Sequence, residues 1–489
     1  MNERLKKILL GRLTPCPRKI TFSDGDFVKL HDVKFLFCGP EAGAAEIAGS
    51  TLAQYWNIDK DVEFASASAS IAAEGYKISV NETQIIIEYA DLCGLRNAFR
   101  TLRQIAEPER GRTITGYIVP QMQVEDFPAA KFRGIHLCVL PETEVIELEK
   151  MIRLAAYFKL NHIVMEFFGV YPFICEPDFC WPDTHFTRDD FKYLVQLGKQ
   201  LGVTLCPALN LVGHAPWATG SKSGKFAVLN FHPEYAPLFE PDGWCWCFSN
   251  PETKKLLARI IDELCDAFDD PPFFHIGCDE AESMACCSVC AQQSTYTLLR
   301  DHLLTFHEQL RKRGIRMMMW HDMLVAREDP RWDGFMASGL AIHGTAELYK
   351  ELPRDIVICD WEYERVIPEG KDFAVAEFFK ENGFDTLLCS WHDTPVTVRE
   401  GKSVQKNHLM GMLGTTWNHA YARNFQFIFH PLAHAAWNPD FDFNQNIDNM
   451  PVFNTHLREV DMDCGINRYE YFGRINHYQI PPDKMSDIH

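Results

Sequence analysis

Two adjacent carboxylates, Asp279 and Glu280, follow the short apolar run Phe273-Phe274-His275-Ile276-Gly277-Cys278. A run of that length reads as a buried strand, and the pair falls where a parallel strand would end, the place where α/β folds build their sites. Burying two neighbouring carboxylates costs free energy. A chain accepts that cost when one group must stay ionised while the other holds a proton near neutral pH, as general acid–base chemistry requires. Taken alone, an Asp-Glu pair capping a strand-to-helix turn is the plainer reading. Its weight depends on what surrounds it.

The surroundings are aromatic. Trp320 precedes His321-Asp322, Trp361 precedes Glu362-Tyr363, Trp391 precedes His392-Asp393, and Trp417 ends another apolar run. One tryptophan at a strand end is ordinary packing. Four in register at one face expose too much apolar surface unless a flat, amphipathic ligand stacks there. A sugar ring with an N-acetyl group is such a ligand, offering C–H faces to indoles and hydroxyls to Asp, Arg, His and Asn.

The elements that must position these residues follow from hydrophobic rhythm. From about residue 128, short apolar strands alternate with amphipathic helices eight times: Phe132–Val139, His162–Phe167, Thr204–Asn210, Phe273–Cys278, Arg316–Trp320, Ile356–Trp361, Thr386–Trp391 and Gly411–Trp417. Thr187 with Asp190 forms a capping box ahead of a helix carrying Phe191, Leu194, Leu197 and Leu201. Asn250-Pro251-Glu252 starts another, lined by Leu257, Ile260, Ile261, Leu264 and Phe268. Eight such units predict an α/β fold of the (β/α)8 TIM-barrel kind, with a doubly wound sheet as the alternative. Before that point the pattern is α+β: strands Gly75–Val80 and Gln84–Tyr89 around a turn, a helix opened by Gly94 over Leu95–Ile105, and a strand Tyr117–Met122. Asp126-Phe127-Pro128 marks the boundary. The expected division is 1–127, an N-terminal α+β domain; 128–440, the barrel; and 441–489, an extension without interpretable motifs.

Composition sets outer limits. At 489 residues the chain exceeds one usual hydrophobic core. A formal net charge of −19 argues against nucleic acid or an anionic membrane surface as partner. No apolar stretch approaches a membrane span, and the N-terminal apolar run Ile8-Leu9-Leu10 is too short for a secretory signal. The 17 cysteines are scattered, several inside apparent core strands, which reads as reduced thiols and a cytoplasmic setting. Cys287-Ser288-Val289-Cys290 raises a structural zinc, with a partner among Cys245, Cys247, Cys175 or Cys180. No second C-x-x-C completes the set, so packed reduced thiols are the expectation, and the chemistry requires no metal.

Across about residues 70–425 the chain resembles glycoside hydrolase family 20, the β-N-acetylhexosaminidases. The resemblance rests on fragments in the correct order: Glu74-Gly75-Tyr76, Gly94 through Arg103-Gln104, Val124-Glu125-Asp126-Phe127-Pro128, Phe132-Arg133-Gly134, Lys159-Leu160-Asn161, Gly213-His214, His275-Ile276-Gly277-Cys278-Asp279-Glu280 and Trp320-His321-Asp322-Met323. It implies a substrate-assisted retaining hydrolysis of glycans. Glu280 would be the acid and then the base, and the substrate's 2-acetamido oxygen the nucleophile. Asp279 would hold the acetamido N–H, while burial and that negative neighbour keep Glu280 protonated. Trp320, Trp361 and Trp417 would wall the pocket and Tyr363 donate to the acetamido oxygen. Trp391 with Asp393, and Arg133, would contact hydroxyls, with an ion pair under the barrel as the other reading of Arg133. His214 and His275 would support Glu280.

The chain also departs from that pattern. Leu137-Cys138-Val139-Leu140-Pro141 stands where the family's first strand runs on to Asp and Arg. Met165-Glu166-Phe167-Phe168 stands where it has a His- and Asp-containing loop, and Trp417-Asn418-His419 where it has Trp-x-Glu. Glu166 is the candidate replacement for a lost hydroxyl contact. GlcNAc versus GalNAc, exo versus endo action and linkage stay open. The rival readings are a silent sugar-binding protein on this fold, which need not keep Asp279 beside Glu280, and another barrel glycosidase such as a family 84 hexosaminidase or an α-glucuronidase.

Overall fold

The computed structural model describes residues 3–60, 62–66, 70–109, 116–215, 228–332, 337–339, 343–363, 373–417, 422–442 and 450–465. Eight parallel strands close into a barrel: Phe132–Val139, His162–Phe167, Thr204–Ala208, Phe273–His275, Arg316–Trp320, Val357–Asp360, Asp385–Ser390 and Gly411–Thr415. They are called strands 1 to 8 below. Phe132 opposite Gly411 closes the ring, and Gly134 opposite His162 sets the first register. Every strand residue but a few first ones is buried, as a sheet covered on both faces requires.

The outer helices start where local chemistry favours them. Thr187 and Asp190 cap each other's backbone ahead of the helix Arg188–Leu201, and Asn250 accepts the Glu252 N–H ahead of the helix Pro251–Ala267. Such a cap stabilises by about 1 kcal/mol. Leu257, Ile260, Ile261 and Leu264 on that second helix are all 0% exposed, each burial worth about 1.5–3 kcal/mol.

The N-terminal domain is a six-stranded sheet in the order Lys19–Phe22, Met122–Asp126, Tyr76–Val80, Gln84–Tyr89, Lys34–Cys38, Glu63–Ala65, with the helices Ala44–Trp56 and Leu92–Ile105. Two local expectations are corrected. The second helix opens three residues early, because Asp91 rather than Gly94 caps it, accepting the Gly94 N–H at 2.8 Å. The strand expected over Tyr117–Met122 breaks at Pro120, which lacks a backbone donor. Tyr117–Val119 joins a small three-stranded sheet, and Met122–Asp126 joins the main one.

The floor of the barrel is bolted to this domain by buried polar groups. Asp126 accepts from Tyr76 (2.6 Å), Lys159 (3.0 Å) and the Trp437 indole (2.8 Å). Within the C-terminal extension, the helix Met450–Asp463 lies on the barrel helix Val145–Tyr157. Asp463 pairs with Arg103 at 2.6 Å and Asp461 pairs with Lys150. No helix among the described residues is long and apolar enough to cross a membrane.

Candidate active site

Strand 4 stops at His275, short of the expected Cys278, because the backbone turns sharply. Gly277, Cys278 and Glu280 take φ of +67°, +76° and +46°. For Cys278 and Glu280 that left-handed backbone costs about 1–3 kcal/mol each, and the surrounding contacts hold it. At Gly277 a Cβ would lie 2.6 Å from the Asn210 side chain. Asp322 Oδ2 accepts the Glu280 N–H at 2.9 Å, and the Trp244 indole donates to the Glu280 carbonyl at 2.8 Å. Gly213 lets the loop after strand 3 approach, since a Cβ there would sit 2.6 Å from the Asp279 carbonyl oxygen. That approach puts His214 Nε2 at 3.3 Å from Asp279 Oδ2 and 3.2 Å from Glu280 Oε2.

The turn points the two neighbours differently. Asp279 is 8% exposed, whereas the Glu280 side chain is 54% exposed. The expectation that burial by the protein acts on Glu280 is therefore corrected: its carboxyl lies half in solvent beside His214. Burial acts instead on Asp322, which sits 0% exposed at the end of strand 5. Desolvation first, then the charge of Asp279, pushes the Asp322 carboxyl up to about 7, against the pull of its bonds to the Glu280 N–H, Ser338 and Trp361.

The aromatic residues form one connected wall. Trp320 is 1% exposed and lies between His275 and Trp417, at ring separations of 4.3 and 5.3 Å. It supports Trp417 rather than offering a face of its own. The Trp417 indole donates to the Tyr363 hydroxyl at 2.7 Å, and Tyr363 packs on Trp361 and Trp391 at 5.7 and 5.6 Å. The Trp361 indole donates to Asp322 at 3.2 Å. The wall and the carboxylates thus share Asp322. Asp393 accepts the Val396 N–H at 3.1 Å and caps the helix Thr394–Asn407.

Arg133 is corrected. It lies at the start of strand 1, on the floor of the barrel opposite the carboxylates, 1% exposed. There it pairs with Glu74 and donates to the Ala130 and Lys159 carbonyls at 2.7 and 2.9 Å. Its Nε, Nη1 and Nη2 are all engaged at the domain junction, and its burial there leaves it no route to a sugar. His275 stands beneath the site: its Nδ1 accepts the Gly277 N–H at 3.1 Å, so it braces the turn's backbone and not the Glu280 carboxyl. Glu166, expected to replace a hydroxyl contact, is 3% exposed and pairs with His136 at 3.1 Å, behind Trp417. Asn418 and His419 lie outside the described residues. Asp322 and Trp244 were not singled out from the sequence. Asp322 stood inside the quoted Trp320-His321-Asp322-Met323 segment, while Trp244 carried no local signal at all.

The model described as glycosyl hydrolase family 20, catalytic domain, matches residues 180–438, and that described as glycosyl hydrolase family 20, domain 2, matches residues 11–127. Among solved structures, a β-N-acetylhexosaminidase from Bacteroides fragilis is similar at a TM-score of 0.67 and 17% identity, covering 93% of this chain and 96% of the other. The Flavobacterium johnsoniae chitobiase gives 0.65 and 18%, covering 93% and 72%. The Streptomyces plicatus N-acetyl-β-hexosaminidase gives 0.63 and 16%, covering 94% and 96%. At these identities the likeness shows a shared fold.

Proposed function

The chain belongs to glycosyl hydrolase family 20 and is a glycosidase, and from that premise we propose that it removes β-linked N-acetylhexosamine, GlcNAc or GalNAc, from glycans by substrate-assisted retaining catalysis. The observation that carries this reading is the unequal pair at the end of strand 4: Asp279 buried, Glu280 half open, and His214 within 3.3 Å of both. Glu280, facing outward, protonates the departing glycosidic oxygen and later takes a proton from water. The acetamido oxygen closes on C1, and the C1–O bond to the leaving group breaks. Water then opens the oxazoline-type intermediate with net retention. Asp279 accepts the acetamido N–H and offsets the positive charge that develops on the closing ring. Tyr363 donates to the acetamido oxygen, Trp417 and Trp361 flank the sugar, and Asp393 contacts a hydroxyl. A Streptomyces plicatus β-hexosaminidase mutant in complex with GlcNAc as product supports the choice of sugar. No disulfide joins any of the 17 cysteines, which supports a reducing, cytoplasmic setting.

The test is a screen of nitrophenyl β-glycosides of GlcNAc, GalNAc, their 6-sulfated forms and glucose, with the product anomer followed by proton NMR. N-acetylated substrates cleaved with retention are expected. A preference for the plain glucoside, or an inverted product, overturns the reading.

A further inference from the structure

Two short stretches 40 positions apart bring four ligating side chains together beside the catalytic turn: Glu240 and Cys247 from one, Cys287 and Cys290 from the other, with one donor atom of each within 4.8 Å of all the others. The Cys247 sulfur lies 3.7 Å from that of Cys287 and 3.6 Å from that of Cys290. Zinc–sulfur bonds of about 2.3 Å arranged tetrahedrally put sulfurs about 3.8 Å apart. Simple sulfur packing gives a similar spacing, so the distances alone do not decide. Glu240 does. It is 1% exposed, one oxygen takes the Cys287 N–H, and Oε1 is buried with no hydrogen-bond partner among the described residues, the other polar group beside the carboxylate, outside these four residues, being the Cys286 thiol. A carboxylate oxygen left without a partner in a nest of thiols is costly unless a proton or a cation lies there, and a cation also accounts for the three converging sulfurs. In addition, the Cys290 N–H points at the Cys287 sulfur at 3.4 Å, a donor that favours the thiolate over the thiol.

We propose that Glu240, Cys247, Cys287 and Cys290 form a structural zinc site. Three sulfurs and one carboxylate suit a borderline-soft, tetrahedral, redox-silent cation better than magnesium or calcium, which take oxygen. Binding displaces the three thiol protons to solvent and involves no change of oxidation state. The other cysteines raised as partners are engaged elsewhere: Cys245 faces Ser283 at 3.6 Å, the Cys175 thiol meets Glu263, and the Cys180 thiol meets Thr184. The site has a task in the fold. Glu240 and Cys247 stand on the two arms of a hairpin in which Phe239 pairs with Trp246. Its tip carries Trp244, which holds the Glu280 carbonyl and packs on His214 at 4.0 Å. Cys287 and Cys290 lie on the loop that leaves the same turn. The ion therefore clamps the two segments that fix the backbone of Glu280.

Metal content of the protein purified without chelator is expected at one zinc per chain. Cobalt(II) replacing it should give thiolate-to-metal charge-transfer bands and the visible spectrum of a tetrahedral site. Cys290→Ser and Glu240→Gln should bind at least tenfold more weakly, whereas Cys93→Ser, on the N-terminal helix Leu92–Ile105, should match the wild type. A strong zinc chelator should lower the melting temperature of the wild type and leave that of Cys290→Ser unmoved. Wild-type protein that carries no zinc and gives no tetrahedral cobalt spectrum overturns the proposal, as does a disulfide between any two of Cys247, Cys287 and Cys290 found by mass spectrometry. These readouts are independent of hydrolysis, so they stand or fall apart from the proposed activity.

Discussion

Replacing Tyr363 by phenylalanine separates bracing from catalysis, because the proton positions around its hydroxyl are fixed by its neighbours. The Trp417 indole can only donate, so its 2.7 Å contact makes the Tyr363 oxygen an acceptor. Thr415 spends its single proton on the Ser390 carbonyl at 2.9 Å, so the 2.9 Å contact between the two hydroxyls must run from Tyr363 to Thr415. To bind an acetamido oxygen, Tyr363 swings that proton away from Thr415. Tyr363→Phe takes the acceptor from the half-buried Trp417 indole, a loss of about 0.5–1.5 kcal/mol in stability, the net worth of one hydrogen bond. It also removes one donor from the acetamido group in the transition state. At about 1.5–3 kcal/mol for a hydrogen bond to an oxygen taking part in charge development, kcat/KM should fall roughly 10- to 150-fold. Thr415→Val should cost a similar amount of stability, yet it frees the Tyr363 proton for the ligand. Its kcat/KM should hold or rise, and GlcNAc should bind up to about tenfold tighter, the worth of one neutral hydrogen bond. Urea unfolding and steady-state kinetics on an aryl N-acetyl-β-glucosaminide give both quantities. Equal kinetic losses in the two variants, or none in Tyr363→Phe, would refute the assignment and leave Tyr363 as a prop for Trp417.

Three further outcomes are expected. Glu280→Gln should slow hydrolysis of substrates with poor leaving groups by roughly 10²–10⁴-fold and activated aryl glycosides less, since only the former need the proton; equal and negligible losses would remove Glu280 from the mechanism. Asp279→Asn should weaken a thiazoline mimic of the cyclised intermediate by about 1.5–3 kcal/mol, read as an inhibition constant, and a fluorosugar trapped covalently on a carboxylate would overturn the whole scheme. Asp322 holds its proton up to about pH 7 in the folded chain and releases it near the ordinary carboxylate value of 3.8 when unfolded. The folded state thus binds the extra proton between those values, and stability should decline as pH rises through that window. Asp322→Asn should flatten the decline in urea unfolding between pH 5 and pH 7.5 (about two units inside and just above it); an unchanged slope would show that another group titrates.

Much of the architecture was written in local pattern. Short apolar runs bounded by turn signals read as strands covered on both faces, and eight of them separated by capped amphipathic helices favoured the closed parallel barrel over a doubly wound sheet. Asp279 and Glu280 were legible as the first carboxylates after an apolar run, although the strand itself stops earlier, at His275, where the backbone turns. The tryptophans were legible as a recurrence, four strand ends with the same residue type. What the sequence could not show is which partner each polar group meets. Arg133 and Glu74 are 59 positions apart, and only the docking of two domains makes them an ion pair at the barrel floor instead of a sugar contact at its rim. Backbone strain at Cys278 and Glu280 depends on Asp322 and Trp244, 42 and 36 positions from Glu280. Cys287 and Cys290 announced themselves by spacing and Cys247 stood among four candidate partners, but nothing in the sequence marked Glu240, which the hairpin brings beside them. The physical reason is the same in each case. Burial and hydrogen-bond periodicity act between near neighbours in the chain and leave a readable rhythm. Charge compensation and ligand geometry act across space, so they come into existence only when the tertiary fold brings distant donors and acceptors within a few ångströms of one another.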